Sequence, residues 1–367
     1  MSGENIVVFA GPSLPVPCEV EGKLPIQRLG PAAQGDVLRA ALLRPAAIVL
    51  IDGFFEAFPA VYHKEILWSL DAGIPVYGAA STGALRAAEL HSFGMVGVGE
   101  IFDAFVDGTL TRDDEVALTH APKEVAYSYL SEPLVNIRWT LSAAVTTAIL
   151  RPEIAAQLLR MTEAEFYPNR SYDTLLAACS KIDPDTVEGF RVWLLTGRID
   201  QKNIDARACL ERVAADFDAG ALPVAAPFEF QHSDAFDTLL TEVLSECPAS
   251  DPDTLERLRA ASPEGFERVR ADAEIAELAL ALDRQSPRPV PLGDLAREVS
   301  EFRQHRALHD QDALVQWLEL RDLDIDTLSR RLEERAKIAR ARRSVQPRLD
   351  EQMRHLLTFS DAPSDEG

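Results

Sequence analysis

The chain of 367 residues carries 37 Lys and Arg against 59 Asp and Glu, a formal net charge of −22 at pH 7. That length is ample for a well-buried core and fits two domains, while the acidity argues against a nucleic-acid partner, which needs a basic footprint to displace counterions from phosphate. No stretch reaches the roughly 18 to 20 uninterrupted apolar residues of a membrane span, and the opening Met-Ser-Gly-Glu-Asn lacks the basic and apolar segments of a signal peptide, so a cytoplasmic protein with no membrane association is expected.

In chain order, residues 5–9, 25–29, 47–51 and 74–77 are nearly continuous apolar or β-prone runs of strand length, which suit a parallel sheet covered on both faces. Between them, residues 36–44 and 59–70 carry helical spacing, the second with Pro59 near its first turn and Gly73 beyond its end. This βαβ construction predicts an α/β fold: an N-terminal Rossmann-like parallel sheet with helices on both faces, followed by a mostly helical C-terminal region. Val96-Gly97-Val98-Gly99 reads as a loop, and from about residue 100 helical periodicity takes over. The Pro-rich residues 285–291 mark a break, and the acidic end, 361–367, is expected to fray. We read an α/β core over residues 1–120, a helical part over 121–217 and a helical C-terminal domain over 218–367. Cys18, Cys179, Cys209 and Cys247 are scattered with no Cys-x-x-Cys pair, so neither a disulfide framework nor a zinc knuckle is suggested. No metal or other cofactor is expected, and no phosphate-binding Gly-rich fingerprint follows a strand.

In a doubly wound sheet the ligand crevice lies beyond the carboxyl ends of the strands. Four strands here end in small or polar clusters: Gly11-Pro12-Ser13, residues 31–36, Asp52-Gly53 and Ser81-Thr82-Gly83. The last cluster runs from a strand into an alanine-rich helix, so Ser81 is expected to face a ligand where the helix start and its dipole favour a negative or developing oxyanion. A tight turn packed on a sheet wants the same small residues, which leaves a structural reading open. By i, i+3, i+4 spacing His63, Ile66, Leu67 and Leu70 share a helix face, turning His63 toward the sheet as a base or a hydrogen-bonded core histidine. Lys64 then serves an anion or pairs with Glu65 or Asp71. Asp52 either caps a turn or acts in the crevice. Arg86 can clamp a carboxylate or pair with Glu89, and Glu56 is a further carboxylate near these turns. Asp113-Asp114-Glu115 reads as a solvated or helix-initiating run. Seven basic residues between Arg330 and Arg343 read as a stripe that either docks an acidic partner or lies solvated.

Residues 48–68 and 91–102, together with Gly-Pro-Ser-Leu-Pro (11–15), Pro-Ala-Ala-Gln-Gly-Asp (31–36), Asp-Asp-Glu-Val-Ala (113–117) and Ser-Glu-Pro-Leu-Val-Asn (131–136), resemble the TfuA family, accessory proteins of peptide thioamidation. The similarity runs over roughly residues 5–215, since Glu-Phe-Tyr-Pro (165–168) and Asp-Gln-Lys-Asn-Ile-Asp-Ala (200–206) also look like its pattern. The resemblance implies a role beside a YcaO-type enzyme, which uses ATP to activate a backbone amide oxygen that sulfur then replaces. A protein of this kind would recruit a sulfur donor, stimulate its partner, or release sulfide from a thiocarboxylated, ThiS-like sulfur carrier protein, with a ribosomally made precursor peptide as the final acceptor. The implied catalytic residues are Ser81, His63, Lys64 and Asp52, with Gly11, Ser13, Gly53, Thr82, Gly83 and Arg86 binding substrate. A thiocarboxylate hydrolase and a non-catalytic adaptor both fit the resemblance.

Overall fold

Five short strands, β1 (Ile6–Phe9), β2 (Ile26–Leu29), β3 (Ala47–Leu50), β4 (Val76–Ala79) and β5 (Val96–Val98), pair in parallel in the order β2-β1-β3-β4-β5. The computed structural model describes residues 5–54, 58–121, 125, 127–246, 255–256, 259, 263–306, 308, 311–319 and 323–360. Glu56, Cys247 and residues 361–367 therefore lie outside the described residues. The central strands β1, β3 and β4 are buried along their whole length, as their unbroken apolar runs require, whereas β2 at the edge alternates between half-buried and exposed.

Because side chains alternate across a strand, the two sheet faces collect different partners. Ile6, Val8, Val49, Ile51, Tyr77 and Ala79 pack against Ala206, Cys209, Leu210 and Val213 of a helix that follows the last strand by about a hundred residues, Gln201–Asp218. The opposite face meets α1 (Asp36–Leu42), α2 (His63–Asp71) and α3 (Thr82–Leu90). There the approach of α3 is close: a Cβ on Gly83 would stand 1.8 Å from the Leu50 carbonyl oxygen, and one on Gly78 2.2 Å from the Gly83 oxygen. After α4 (Glu100–Val106), the helices α5 (Leu134–Thr146), α6 (Pro152–Glu163), α7 (Tyr172–Ile182) and α8 (Val187–Gly197) close a second core around Ile137, Leu141, Leu158, Leu175, Phe190 and Leu194. The chain then returns to the sheet as α9, the helix Gln201–Asp218, and continues to α10 (Asp234–Glu246).

Two compact units result, residues 1–257 and 258–367. The second holds the helices Pro263–Gln285, Leu292–His305, Gln311–Glu319 and Ile325–Ser360. Its basic stripe is largely neutralised from within: Arg340 meets Asp283 at 2.8 Å, Arg342 meets Asp272 at 2.7 Å and Arg343 meets Asp294 at 2.8 Å, with Lys337 also on Asp283. No described helix is long and apolar enough to cross a membrane.

Two expectations change. Val96-Gly97-Val98 is an edge strand rather than a loop, pairing with Tyr77, Gly78 and Ala79; its central glycine hides it, yet Gly97 is needed because a Cβ there would strike the Phe102 ring at 2.1 Å. The second helix begins at His63, not near Pro59, because Glu65 turns back to accept a hydrogen bond from the Tyr62 N–H at 2.9 Å and so fixes the helix start there.

Candidate functional site

The strand order reverses direction between β1 and β3, and in open α/β sheets that switch point, at the carboxyl ends of the strands, is where ligands bind. Asp52, two residues past β3 and 1% exposed, bridges it. Its Oδ2 accepts from the Gly11 N–H at 2.8 Å and the Ser13 N–H at 3.0 Å, and its Oδ1 accepts from the Ser13 hydroxyl at 2.6 Å. The carboxylate thus caps the turn of a neighbouring strand rather than its own. The other predicted turns join the same rim. The Ala32 N–H donates to the Asp52 carbonyl at 2.9 Å, a Cβ on Gly11 would meet Pro31 at 2.5 Å, and Thr82 Oγ1 donates to the Gly53 carbonyl at 3.4 Å.

At the fourth turn the Ser81 N–H donates to the Ala79 carbonyl at 2.7 Å, closing a three-residue turn around Ala80, whose φ is +67°. A left-handed φ is strained for a residue with a Cβ, and this form of γ-turn is the rare one. Ser81 occupies the position that precedes α3, is 6% exposed, and its hydroxyl makes no hydrogen bond to a described residue. The smallness of Gly78 and Gly83 is accounted for by the packing of α3 on β3 and β4. The unbonded hydroxyl at the helix start is not.

A chain of polar groups absent from the sequence-based site reaches Asp52 through Ser13. Asn203 donates to the Ser13 carbonyl at 2.9 Å from the first turn of α9. Asp200 caps that helix, accepting from the Asn203 N–H at 3.1 Å and from Asn136 Nδ2 at 3.0 Å, and Asn136 Oδ1 accepts from the Lys202 N–H at 3.2 Å. Lys202 is 1% exposed and its ammonium donates to the Val116 carbonyl at 2.8 Å. Burial pushes its pKa down, while Asp52 and Asp200 pull it back up. The signal was present in the sequence: Lys202, Asp205, Ala206, Cys209 and Val213 fall on one helical stripe whose other members are apolar or buried, which places the lysine against the sheet end.

The remaining predicted residues stand on the flank. His63 does not point at the sheet; its side chain is 42% exposed, and Nε2 lies 2.8 Å from Glu89. Arg86 donates to the same Glu89 at 2.7 Å and to the Val61 carbonyl at 2.9 Å. Lys64 bonds the Gln231 carbonyl and lies over the Phe230 ring. Its neighbour Glu65 is buried instead, accepting from the Leu38 N–H at 3.2 Å, and desolvation raises its pKa to about 7. The acidic run is not a solvated one: Asp114 pairs with Arg112 and the fully buried Arg170, each at 2.6 Å, and buried Glu115 pairs with Arg138 at 2.6 Å. Cys18 is partly exposed near the core, while Cys179 and Cys209 are buried.

Residues 52–171 match the family model described as TfuA-like protein, so this segment, which spans Asp52, the Ser81 turn and Asn136, is TfuA-like. No curated protein matches the chain.

Proposed function

We propose that the chain, through its TfuA-like segment, is an accessory of YcaO-dependent backbone thioamidation of ribosomally made peptides, and that it releases sulfide from a thiocarboxylated, ThiS-like carrier protein at the strand-end rim. The observation that carries this reading is the Ser81 turn: a strained approach that holds a nearly buried hydroxyl, with no hydrogen bond to a described residue, at the start of the nine-residue α3. Ser81 Oγ attacks the acyl carbon, the C–S bond breaks, and the hydroxyl proton leaves on the departing sulfur, so a serine ester and HS⁻ form from Ser–OH and RCOS⁻. Water then cleaves the ester to the carboxylate, returns the serine and yields one proton. The leaving sulfur itself takes the first proton, so the step does not call on His63 or Lys64, whose side chains bond Glu89 and Gln231. The Thr82 backbone N–H at the start of α3 suits the oxyanion, since the Ser81 and Gly83 N–H groups already bond the Ala79 and Ile51 carbonyls, and Gly11, Ser13, Asp52, Gly53 and Gly83 shape the rim beside it. His63, Lys64 and Arg86 support the flank through their bonds to neighbouring elements.

Sulfide release from a thiocarboxylated carrier, measured with the purified chain and no YcaO-type enzyme present, tests this reading. Ser81→Ala should fold normally and lower the rate by at least about a hundredfold, beyond the tenfold or so that loss of one neutral hydrogen bond of about 1.4 kcal/mol would produce. Absence of sulfide release by the wild type, together with full thioamide formation when Ser81→Ala is mixed with a YcaO-type enzyme, would instead establish an adaptor.

A further inference from the structure

The second unit leaves two apolar helix faces without a partner among the described residues. In the helix Ile325–Ser360, Leu328, Leu332 and Ala336 are buried, but from Arg342 to Leu349 and from Glu351 to His355 every side chain is exposed. Val345, Leu349 and Met353 nevertheless fall at i, i+4 and i+8, one stripe of the helix, and are 45–58% exposed. The helix Pro263–Gln285 repeats the pattern. Its Ala279 is buried, while Ile275, Leu278 and Leu282, at i, i+3 and i+7, form a stripe that is 46–66% exposed. Isolated apolar side chains on a surface need no explanation, but a contiguous stripe marks an interaction site. Residues 342–360 make about 28 Å of helix at 1.5 Å per residue, and a helix draws most of its stability from packing one apolar face. Here that face is bare.

The two stripes adjoin, and their flanks are oppositely charged. Arg342, one turn before Val345, bonds Asp272, one turn before Ile275, at 2.7 Å, so both stripes lie beside that ion pair, and both stay exposed. Arg348, one turn beyond Val345, forms no ion pair with a described residue. On the other helix Glu274, one turn before Leu278, shares the single Arg270 with Glu267, at 3.1 and 3.3 Å, which leaves one carboxylate charge unmatched. Pairing either stripe with its own counterpart sets like charges together, and a partner of one sign meets repulsion on one flank or the other. A second copy of this chain brings each flank its opposite.

We propose that two copies of the chain pair about a two-fold axis, with Val345, Leu349 and Met353 of each lying on Ile275, Leu278 and Leu282 of the other. Such an interface is isologous: the same contact forms twice, and the assembly closes on itself instead of growing into a filament. The pairing stands on the second unit alone and is independent of the sulfur-release reading above.

The test is the mass of the full chain in solution, read by light scattering after size exclusion at micromolar concentrations. The wild type should be a dimer. Leu349→Asp and Leu278→Lys each put a charge into one stripe and, because the contacts are reciprocal, break both of them. Each should weaken dimerisation at least about a hundredfold and give a monomer that still unfolds cooperatively, since both side chains are exposed in the single chain. If Leu349→Asp does not fold, Met353→Asp takes its place in the same stripe. An equimolar mixture of the two variants should dimerise again, because the long helix of the Leu278→Lys chain still meets an intact stripe on the Leu349→Asp chain. A wild type that stays monomeric, a series of larger assemblies in place of a dimer, a dimer that survives either single variant, or a mixture that stays monomeric overturns the proposal.

Discussion

Asp52 combines a structural task with an electrostatic one, and two substitutions pull them apart. In Asp52→Asn the amide oxygen can take the place of Oδ2 and keep the bonds from the Gly11 and Ser13 N–H groups, at 2.8 and 3.0 Å, while Nδ2 donates to the Ser13 hydroxyl, which turns round. The loop stays tied and only the charge facing Lys202 is lost. Asp52→Ala removes all three bonds and leaves two N–H groups without an acceptor at the switch point. A hydrogen bond to a charged group contributes about 1.5–3 kcal/mol and an unsatisfied buried donor costs about 1–3 kcal/mol. Since one side chain makes all three bonds, their separate values do not add. The expected loss is about 3–5 kcal/mol for Asp52→Ala and about 1–2 kcal/mol for Asp52→Asn, where charge-assisted bonds become neutral ones. Urea unfolding at pH 7, followed by far-UV circular dichroism, reads both. Equal losses in the two variants would show that the charge, not the acceptor geometry, holds the Gly11–Ser13 loop, and would refute the role of Asp52 as the acceptor that ties the rim together.

Two further expectations concern buried titratable groups. Glu65 has a folded pKa raised from 4.5 to about 7 by desolvation, and a carboxyl raised in this way contributes stability that is present below pH 4.5 and is lost as pH rises through about 7. The shift corresponds to roughly 3 kcal/mol at about 1.4 kcal/mol per unit, so Glu65→Gln should be less stable than the wild type near pH 4.5 and should close most of that gap by pH 8; parallel stability profiles for the two proteins would refute the assignment. Cys209 is fully buried with its thiol pushed up to about 12 by desolvation, and Cys179 is buried and raised as well. In a Cys247→Ser background an aromatic disulfide reagent at pH 8 should label Cys18 in the native protein and reach Cys179 and Cys209 only in denaturant; rapid native labelling of Cys209 would mean that α9 does not stay on the sheet.

The sheet was legible because its central strands are buried on both faces, so each appears as an unbroken apolar run that no helical period imitates. β5 was not, since an edge strand of three residues with a central glycine carries almost no β propensity of its own and exists by pairing with β4. The rim was legible as a place, from the small and polar residues at four strand ends, but the division of labour within it was not. His63 shares a helical spacing with Ile66 and Leu70, yet the helix is enclosed by α1, α3 and β4 on several sides, and that enclosure buries Glu65 and Trp68 and leaves His63 outside. Spacing ranks positions around one helix; it does not say how many neighbours surround it. The same limit explains Lys202. Its stripe with Ala206, Cys209 and Val213 announces burial, but only the return of α9 to the sheet, after an intervening helical core, brings the ammonium to the Val116 carbonyl. A charged residue on the apolar stripe of a helix thus marks where that helix meets polar backbone at the end of a sheet: the face that buries Lys202 also carries its ammonium to the Val116 carbonyl.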